Sequence, residues 1–234
     1  MDNEKGKSII STGSSNLAKT EKLLSITQKI LSEIKPQFDS IKIGNQEWMT
    51  RNLDVDRFRN GDLIPHIEIN EEWIKVCENQ QPAWCYYDND HENGKKYGKL
   101  YNWYAVNDPR GLAPEGWHIP SDEEWTTLFN YLGEDDMGHK MKSVQGWNSW
   151  EDEAGEFQNG NGDNSSGFNG IPAGLRYYNG GFDYLGEDGD WWSSTDLDYY
   201  NALSLSLNFN NSYVYRNSYE YGKGDGLSVR CLRD

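Results

Sequence analysis

The sequence of 234 residues has few cysteines, few aliphatic side chains and no long apolar run. Its three cysteines, Cys77, Cys85 and Cys231, allow at most one disulfide and fit no zinc-ligand spacing. The four histidines are scattered along the chain, so we expect no structural metal cluster. No segment approaches the roughly 20 apolar residues that a helix needs to span a bilayer.

The beginning of the sequence lacks the apolar core of a signal peptide, because residues 1–16 are polar. One interpretation keeps the protein inside the cell, and the other takes the sequence as a mature chain from which a signal was removed. The polar start suits a lipoprotein in which Met1 replaces a lipidated cysteine. That second interpretation predicts an extracellular or cell-surface location, with a lost lipid anchor as the link to a membrane.

Basic side chains are scarce as well. The chain has 22 Lys and Arg against 38 Asp and Glu, which gives a formal net charge of −16. The basic runs at Lys95-Lys96 and around Lys140 and Lys142 are short and are diluted by acids. Such a surface repels nucleic acid unless a basic stripe is segregated on it, so we predict no nucleic-acid partner.

Aromatic residues and glycine are what the sequence does contain. Fourteen per cent of residues are aromatic, with ten Trp and fifteen Tyr, against 35% apolar residues in all. Since rings bury large areas, they must supply much of the core. The 24 Gly and many Asn and Asp residues favour turns and loops. These proportions predict an α+β domain of short strands and turns.

The chain divides into three predicted parts. Residues 1–16 read as a disordered leader, residues 17–40 as an amphipathic helix with its linker, and residues 41–234 as the main domain. The helix follows from the helical spacing of Leu23, Ile26, Ile30 and Ile34 and extends over residues 17–35. It could be a strut docked on the domain, a stalk, or a seam for self-association.

Within the main domain, residues 41–49 predict a small hairpin around Gly44-Asn45. Ser121 and Glu124 form a capping box at the start of a helix that ends at Gly133. Further predictions are a strand at residues 84–87, a strand or short helix at 100–106, a short helix at about 136–143, a long loop at 144–170, and strands at 203–209, 213–215 and 227–232.

Four ordered segments resemble a known family: residues 97–105 (YGKLYNWYA), 114–121 (PEGWHIPS), 191–195 (WWSST) and 228–232 (SVRCL). They are similar to the major paralogous domain family first described from Fibrobacter succinogenes, and the resemblance covers roughly residues 41–234. It implies a C-type-lectin-like fold with short antiparallel strands, one or two helices and long ordered loops. It also implies export in most members and no established enzymatic activity.

The same resemblance relates the chain to formylglycine-generating enzymes and to the variable ligand-binding proteins of diversity-generating retroelements. The family often has a cysteine where this chain has Ala113, so a family-type bridge to Cys231 cannot form. Buried reduced thiols are then at least as compatible with the sequence as a bridge. An oxidase of the formylglycine-generating type needs two cysteines late in the chain, whereas Cys231 stands alone there.

Residues 196–221 are rich in the side chains that binding loops favour. Of these 26 residues, six are Tyr, five Asn, four Ser and two Asp. If Leu203, Leu205 and Leu207 point inward, the intervening polar residues point outward. We predict a non-enzymatic binding protein, possessing a broad exposed face for a protein or glycan and not a small deep pocket. The predicted ligand-binding residues are Tyr199, Tyr200, Asn201, Ser204, Ser206, Asn208, Asn211, Tyr213, Tyr215, Asn217, Tyr219 and Tyr221.

The alternatives are an oxidase relative with altered cysteines and a structural surface protein. We predict no cofactor, although a structural calcium could be held by Asp188 with Asp190 or by Asp88 with Asp90. His118 is interpreted as a satisfied core or supporting histidine. The pair Trp191-Trp192 is interpreted as a core ridge.

Overall fold

The computed structural model describes residues 20, 22, 23, 38–216 and 221–234. The chain forms two units, Met1–Phe38 and Asp39–Asp234. In the first unit, Thr20, Lys22 and Leu23 are helical. The predicted leader and the rest of the helix predicted over residues 17–35 lie outside the described residues.

The second unit alternates short helices and short strands. Its described strands are β1 Ser40–Ile43, β2 Gln46–Met49, β3 Trp84–Cys85, β4 Leu100–Tyr101, β5 Trp117–His118, β6 Ser149–Glu151, β7 Phe157–Asn159, β8 Ala173–Arg176, β9 Phe182–Leu185, β10 Asp188–Asp196, β11 Ala202–Asn208, β12 Val214–Arg216 and β13 Leu232–Arg233. Its described helices are α1 Asn70–Glu78, α2 His91–Tyr97, α3 Trp103–Val106, α4 Asp122–Leu132 and α5 Met137–Met141, with a 3-10 turn at Tyr87–Asn89.

The predicted hairpin at the start of the domain is confirmed. Strands β1 and β2 pair antiparallel, and Gly44 takes a positive φ of 63° in the turn that joins them. Strand β13 pairs with β2 at Trp48 and with β5 at His118, both through Leu232. The sheet order β1-β2-β13-β5 therefore ties the end of the domain to its beginning.

Helix α4 begins with the predicted capping box. The Ser121 hydroxyl accepts a hydrogen bond from the Glu124 amide, and the Glu124 carboxylate accepts one from the Ser121 amide. Trp125, Leu128 and Phe129 are the buried face of the helix. Gly133 caps its end with a φ of 75°, as the sequence predicts.

The core is built largely of rings, as the composition predicts. In its larger cluster, Trp48 and Trp125 have ring centroids 4.6 Å apart, and Phe168 makes edge contacts with Trp125 and Trp191. A smaller cluster contains Trp73 together with Cys77, Ala83, Cys85, Tyr87 and Leu100. Trp191 and Trp192 are both 0% exposed, which confirms that the pair is a core ridge.

Strands β10, β11 and β12 form a three-stranded antiparallel sheet. Leu205 and Leu207 face the larger aromatic cluster, as predicted. The opposite face is buried too: Ser204 and Ser206 are 5% and 4% exposed. The prediction that these two serines point into solvent is therefore wrong. Trp192 lies beside Ser204 in register, and the Tyr221 ring packs edge-on against Trp192.

The strand predicted over residues 227–232 is mostly not part of a ladder. Only Leu232 and Arg233 are in β13, while Leu227 and Ser228 form isolated bridges to Tyr101 and Trp191. The segment is buried throughout. The observed fold is α+β with short antiparallel sheets and few helices, as predicted.

Candidate functional site

A groove of about 590 Å³ opens beside the loop that joins β10 to β11. Three separate segments supply its tyrosines: Tyr104 in α3, Tyr178 after β8, and the loop pair Tyr199 and Tyr200. The last three are 62%, 71% and 73% exposed. The remaining lining residues come from α1, from the turn that follows it and from the segment before β13: Ile74, Cys77, Glu78, Gln80, Gly222, Lys223 and Gly224.

The loop that displays Tyr199 and Tyr200 is fixed by other residues. The Asp198 carboxylate accepts hydrogen bonds from the amides of Tyr200 and Asn201, both at 2.8 Å. The Lys223 ammonium donates to the Asp198 carbonyl at 2.6 Å and pairs with the Asp196 carboxylate at 2.7 Å. The Lys223 amide also donates to the Tyr200 carbonyl. The backbone of this loop is therefore held in place before any ligand arrives.

A buried carboxylate joins two walls of the groove. Asp225 is 5% exposed, and its two oxygens accept hydrogen bonds from the amides of Tyr178 and Gly222 at 2.7 and 2.9 Å. Burial raises the pKa of Asp225 to about 6, against the lowering effect of these two bonds. Tyr178 and Gly222 are far apart in sequence, so Asp225 fixes the width of the groove between them.

The base of the groove rests on the smaller core cluster. The Cys77 thiol donates to the Gly224 carbonyl at 3.1 Å, and a Cβ at Gly224 would stand 3.0 Å from the Cβ of Cys77. A side chain at this position would therefore crowd helix α1, which favours glycine where the chain passes it. Burial, with Cys77 and Tyr199 nearby, raises the pKa of Tyr104 above its usual value.

The other end of β11 carries a second pair of predicted residues, Tyr213 and Tyr215. Their ring centroids are 6.4 Å apart, and Tyr213 is 70% exposed. The buried Lys142 ammonium donates to the carbonyls of Asn208 and Asn211 and so fixes the turn before Tyr213. At about 3.3 Å per residue, the seven-residue strand places Tyr213 about 20 Å along β11 from the groove loop. Tyr215 lies on β12 opposite Ser206, and neither tyrosine lines the groove. The predicted site residues therefore do not form one surface.

Three predicted site residues are buried between these two ends. Asp190 lies at the centre, where one carboxylate oxygen accepts from the Ser206 and Tyr221 hydroxyls. Ser204, Ser206 and Tyr221 are all less than 9% exposed, which corrects the prediction that they face outward. They are buried because the segment from Tyr221 onward covers this face of the sheet.

The remaining predicted residues have local roles or lie outside the described chain. The Asn201 side-chain amide donates to Asp198 within the groove loop, and that of Asn208 donates to Asp188. Asn211 is in the turn before Tyr213, where its side chain accepts from the Tyr213 amide. Asn217 and Tyr219 lie outside the described residues.

Of the residues that line the groove, the sequence predicts only Tyr199 and Tyr200; those it misses include Tyr104, Tyr178, Glu78, Gln80 and Lys223. They come from segments that only the fold brings together, and most of them carry no local signal. Tyr178 is the exception, because Tyr177-Tyr178-Asn179 shares the Tyr and Asn composition of the predicted segment.

Two pairs of aspartates are predicted as alternative calcium ligands, and in one of them both residues, Asp188 and Asp190, are buried. Burial raises their pKa values to about 6 and about 7, and Asp188 adds to the shift of Asp190. In the part of the chain that the structure describes, no group of three or more His, Cys, Asp or Glu side chains is arranged to hold a metal ion.

His118 hydrogen-bonds through both ring nitrogens, to Asp234 and to Glu124, each at 2.8 Å. Partial burial disfavours the charged ring, but these two bonds outweigh it and raise the pKa of His118 above its usual value. The ring is half-buried and links the end of the domain to helix α4. It is a satisfied histidine outside the groove.

The three cysteines are free and buried. Burial raises the pKa of each thiol to about 12, so none is a thiolate near neutral pH. None of the helices that the structure describes has the length and apolar character that a bilayer crossing requires.

The observed architecture defines the protein as an α+β domain of short antiparallel strands and long ordered loops, with an aromatic groove beside one hairpin. The chain belongs to the Fibrobacter succinogenes major domain family, whose model matches residues 41–233. The resemblance inferred from the four sequence motifs is thereby confirmed. Comparison with curated proteins and with solved structures finds no match.

Proposed function

We propose that the chain is a non-enzymatic binding protein and that its protein or glycan ligand occupies the tyrosine groove. One observation carries the proposal: exposed tyrosines from separate segments line a single groove whose backbone is already fixed. Tyrosine offers a large, rigid contact at low entropic cost, as binding loops require. Fixed walls reduce the ordering cost of association.

The buried, protonated thiols also support a binding role over thiol oxidation. Display outside the cell, with or without a lipid anchor, belongs to this proposal through the family resemblance. If the chain is a diversified variable protein, Tyr199 and Tyr200 are positions where we expect variation, because they are the two most exposed of the tyrosines at 62–73% exposure that line the groove.

The test is retention of the purified full chain on glycan and protein arrays. The joint substitution Tyr199→Ala and Tyr200→Ala should reduce retention on any specific ligand by at least tenfold, since buried aromatic anchors dominate binding energy. The matched control is the joint substitution Tyr213→Ala and Tyr215→Ala, which removes two tyrosines at the other end of β11. Circular dichroism checks that both variants keep the fold.

Loss of retention in the control variant alone would show that the binding site lies at the far end of β11. Equal retention of the parent chain and of both double variants would show that none of these four tyrosines contributes to binding. Self-association through residues 17–35 is a separate proposal. It predicts that Ile30→Asp in the full chain lowers the molar mass measured by light scattering.

A further inference from the structure

We infer that the groove recognises a cationic side chain, lysine or arginine, on an extended segment of a partner protein. The inference rests on the proposed function, because it names the ligand chemistry of the same groove.

The tyrosine rings supply the first argument. The Tyr199 and Tyr200 rings are perpendicular, at 83°, with centroids 4.8 Å apart, so they form two walls of a corner. Tyr178, also exposed, lines the same groove. The face of an aromatic ring carries partial negative charge and attracts a cation within about 6 Å of its centroid. Several such faces around one groove suit an ammonium or guanidinium group.

The charges around the groove supply the second argument. Glu78 is an exposed lining carboxylate that forms no ion pair with any residue in the described ranges. Lys223 is the lining residue with a positive charge, and the Asp196 carboxylate neutralises it at 2.7 Å. The carboxylates of Asp198 and Asp225 lie directly behind the lining. With a net charge of −16 on the whole chain, the field at the groove favours a cation.

The side chain of Lys223, beside the groove, shows how the fold itself binds an ammonium group. The Lys223 nitrogen lies 4.7 Å from the centroid of the Trp103 ring and bonds the Asp198 carbonyl and the Asp196 carboxylate. An aromatic face, a carbonyl and a carboxylate thus satisfy one ammonium group within the fold. The open corner of Tyr199 and Tyr200, with Glu78 in the same lining, offers two of these three groups, the aromatic face and the carboxylate.

The size and the polar lining favour a peptide over a sugar. A groove of about 590 Å³ is larger than one side chain and accommodates a basic residue with its neighbours. A sugar ring needs several free donors and acceptors around its hydroxyls. Here the Lys223 ammonium is already bonded, and the Gln80 amide reaches the Tyr199 hydroxyl at 3.4 Å. The side-chain nitrogen donors of the lining are therefore already engaged, which leaves the tyrosine rings and their hydroxyl groups.

The experiment titrates the full chain with blocked pentapeptides of sequence Gly-Ser-X-Ser-Gly, followed by NMR. X is lysine, arginine, norleucine or glutamate. Norleucine keeps the aliphatic stem of lysine but carries no charge. We expect the lysine and arginine peptides to bind at least about fivefold more tightly than the norleucine peptide, within the usual range for cation–π contacts. Raising the salt concentration should reduce that ratio.

Three variants locate the effect. Glu78→Gln should weaken lysine binding about threefold and leave norleucine binding unchanged. Tyr200→Leu should weaken binding of both cationic peptides, because leucine keeps an apolar side chain but has no aromatic ring. Tyr213→Leu, at the far end of β11, is the matched control and should change nothing.

Equal affinities for lysine and norleucine, or tighter binding of the glutamate peptide, would overturn the inference. If a glycan is retained in a Tyr199- and Tyr200-dependent manner while the cationic peptides do not bind, the cation inference fails and the proposed binding function stands. If neither ligand class depends on Tyr199 and Tyr200, both fail.

Discussion

The two ends of strand β11 each carry a pair of tyrosines, but in different settings. Tyr199 and Tyr200 stand in a groove whose other walls come from helix α1, from α3 and from the segments around Tyr178 and Lys223. Tyr213 and Tyr215 follow a turn that Lys142 fixes, and they are not part of that lining. Both ends of the strand therefore have an exposed tyrosine. Only the pair Tyr199 and Tyr200 lies in a groove whose other walls come from segments distant in sequence, and this distinguishes the candidate site.

The largest expected effect lies between the two ends, at Asp190. Burial, then the nearby Asp188 carboxylate, raises the pKa of Asp190 from 3.8 to about 7. Between pH 4 and pH 7 the folded protein keeps a proton that the unfolded chain loses, so stability falls as the pH rises. With about 1.4 kcal/mol for each pH unit, the loss is on the order of 2–4 kcal/mol.

The substitution Asp190→Asn should remove this pH dependence. We expect the variant to exceed the parent by roughly 2–4 kcal/mol in unfolding free energy at pH 8, and to match it near pH 4.5. Urea denaturation at both pH values measures the difference, with the exposed Glu153→Gln as control. Parallel pH profiles for parent and variant would show that Asp190 ionises normally. The groove should bind its ligand unchanged, because Asp190 lies outside its lining.

The next largest effect is expected at Asp225, which supports the groove and not the far end of β11. Asp225→Ala removes a buried carboxylate that accepts two hydrogen bonds, and it should lower the free energy of unfolding by about 3 kcal/mol. Ligand affinity should fall with it, since Tyr178 and Gly222 lose their common support. Asp225→Asn keeps one acceptor oxygen and should cost less than half as much. A variant that loses stability but binds the ligand normally would show that binding does not depend on the hydrogen bonds of Asp225.

The smallest effect is expected at the turn end, from Lys142→Met. The variant loses two ammonium–carbonyl bonds and should be destabilised by about 1–2 kcal/mol, with groove binding intact. Burial lowers the pKa of Lys142 to about 8, so above that pH the unfolded chain holds the extra proton. Stability of the parent should therefore rise between pH 8 and pH 10.5, and this rise should be absent in the variant. Reduced ligand binding would mean that the two ends of β11 are coupled.

Much of the fold follows from local sequence signals. The hairpin at Gly44-Asn45, the capping box at Ser121 and Glu124, and the aromatic core all depend on neighbouring residues or on composition. The alternation in β11 predicts the inward face correctly. It fails for the serines, because small hydroxyl groups can be buried when a partner such as Asp190 accepts their hydrogen bond.

Only a small part of the candidate site is predictable from the sequence. Composition indicates Tyr199 and Tyr200, since they lie in the Tyr- and Asn-rich segment. Tyr104, Glu78 and Lys223 reach the groove through packing between segments that are distant in sequence, which no local pattern encodes. The same limit explains why the sequence groups Tyr213 and Tyr215 with Tyr199 and Tyr200, although Tyr215 is on strand β12 and neither Tyr213 nor Tyr215 lines the groove.

The fixed loop that displays Tyr199 and Tyr200 has a consequence for protein engineering and for evolution. Hydrogen bonds that the Asp198 carboxylate accepts and that Lys223 donates set the path of its backbone, and the two tyrosine side chains supply none of them. The displayed positions can therefore be exchanged while the loop keeps its shape. A combinatorial library randomised at these two positions would therefore present different side chains on an unchanged backbone. By the same substitutions, a natural protein could acquire a new ligand without any change to its fold.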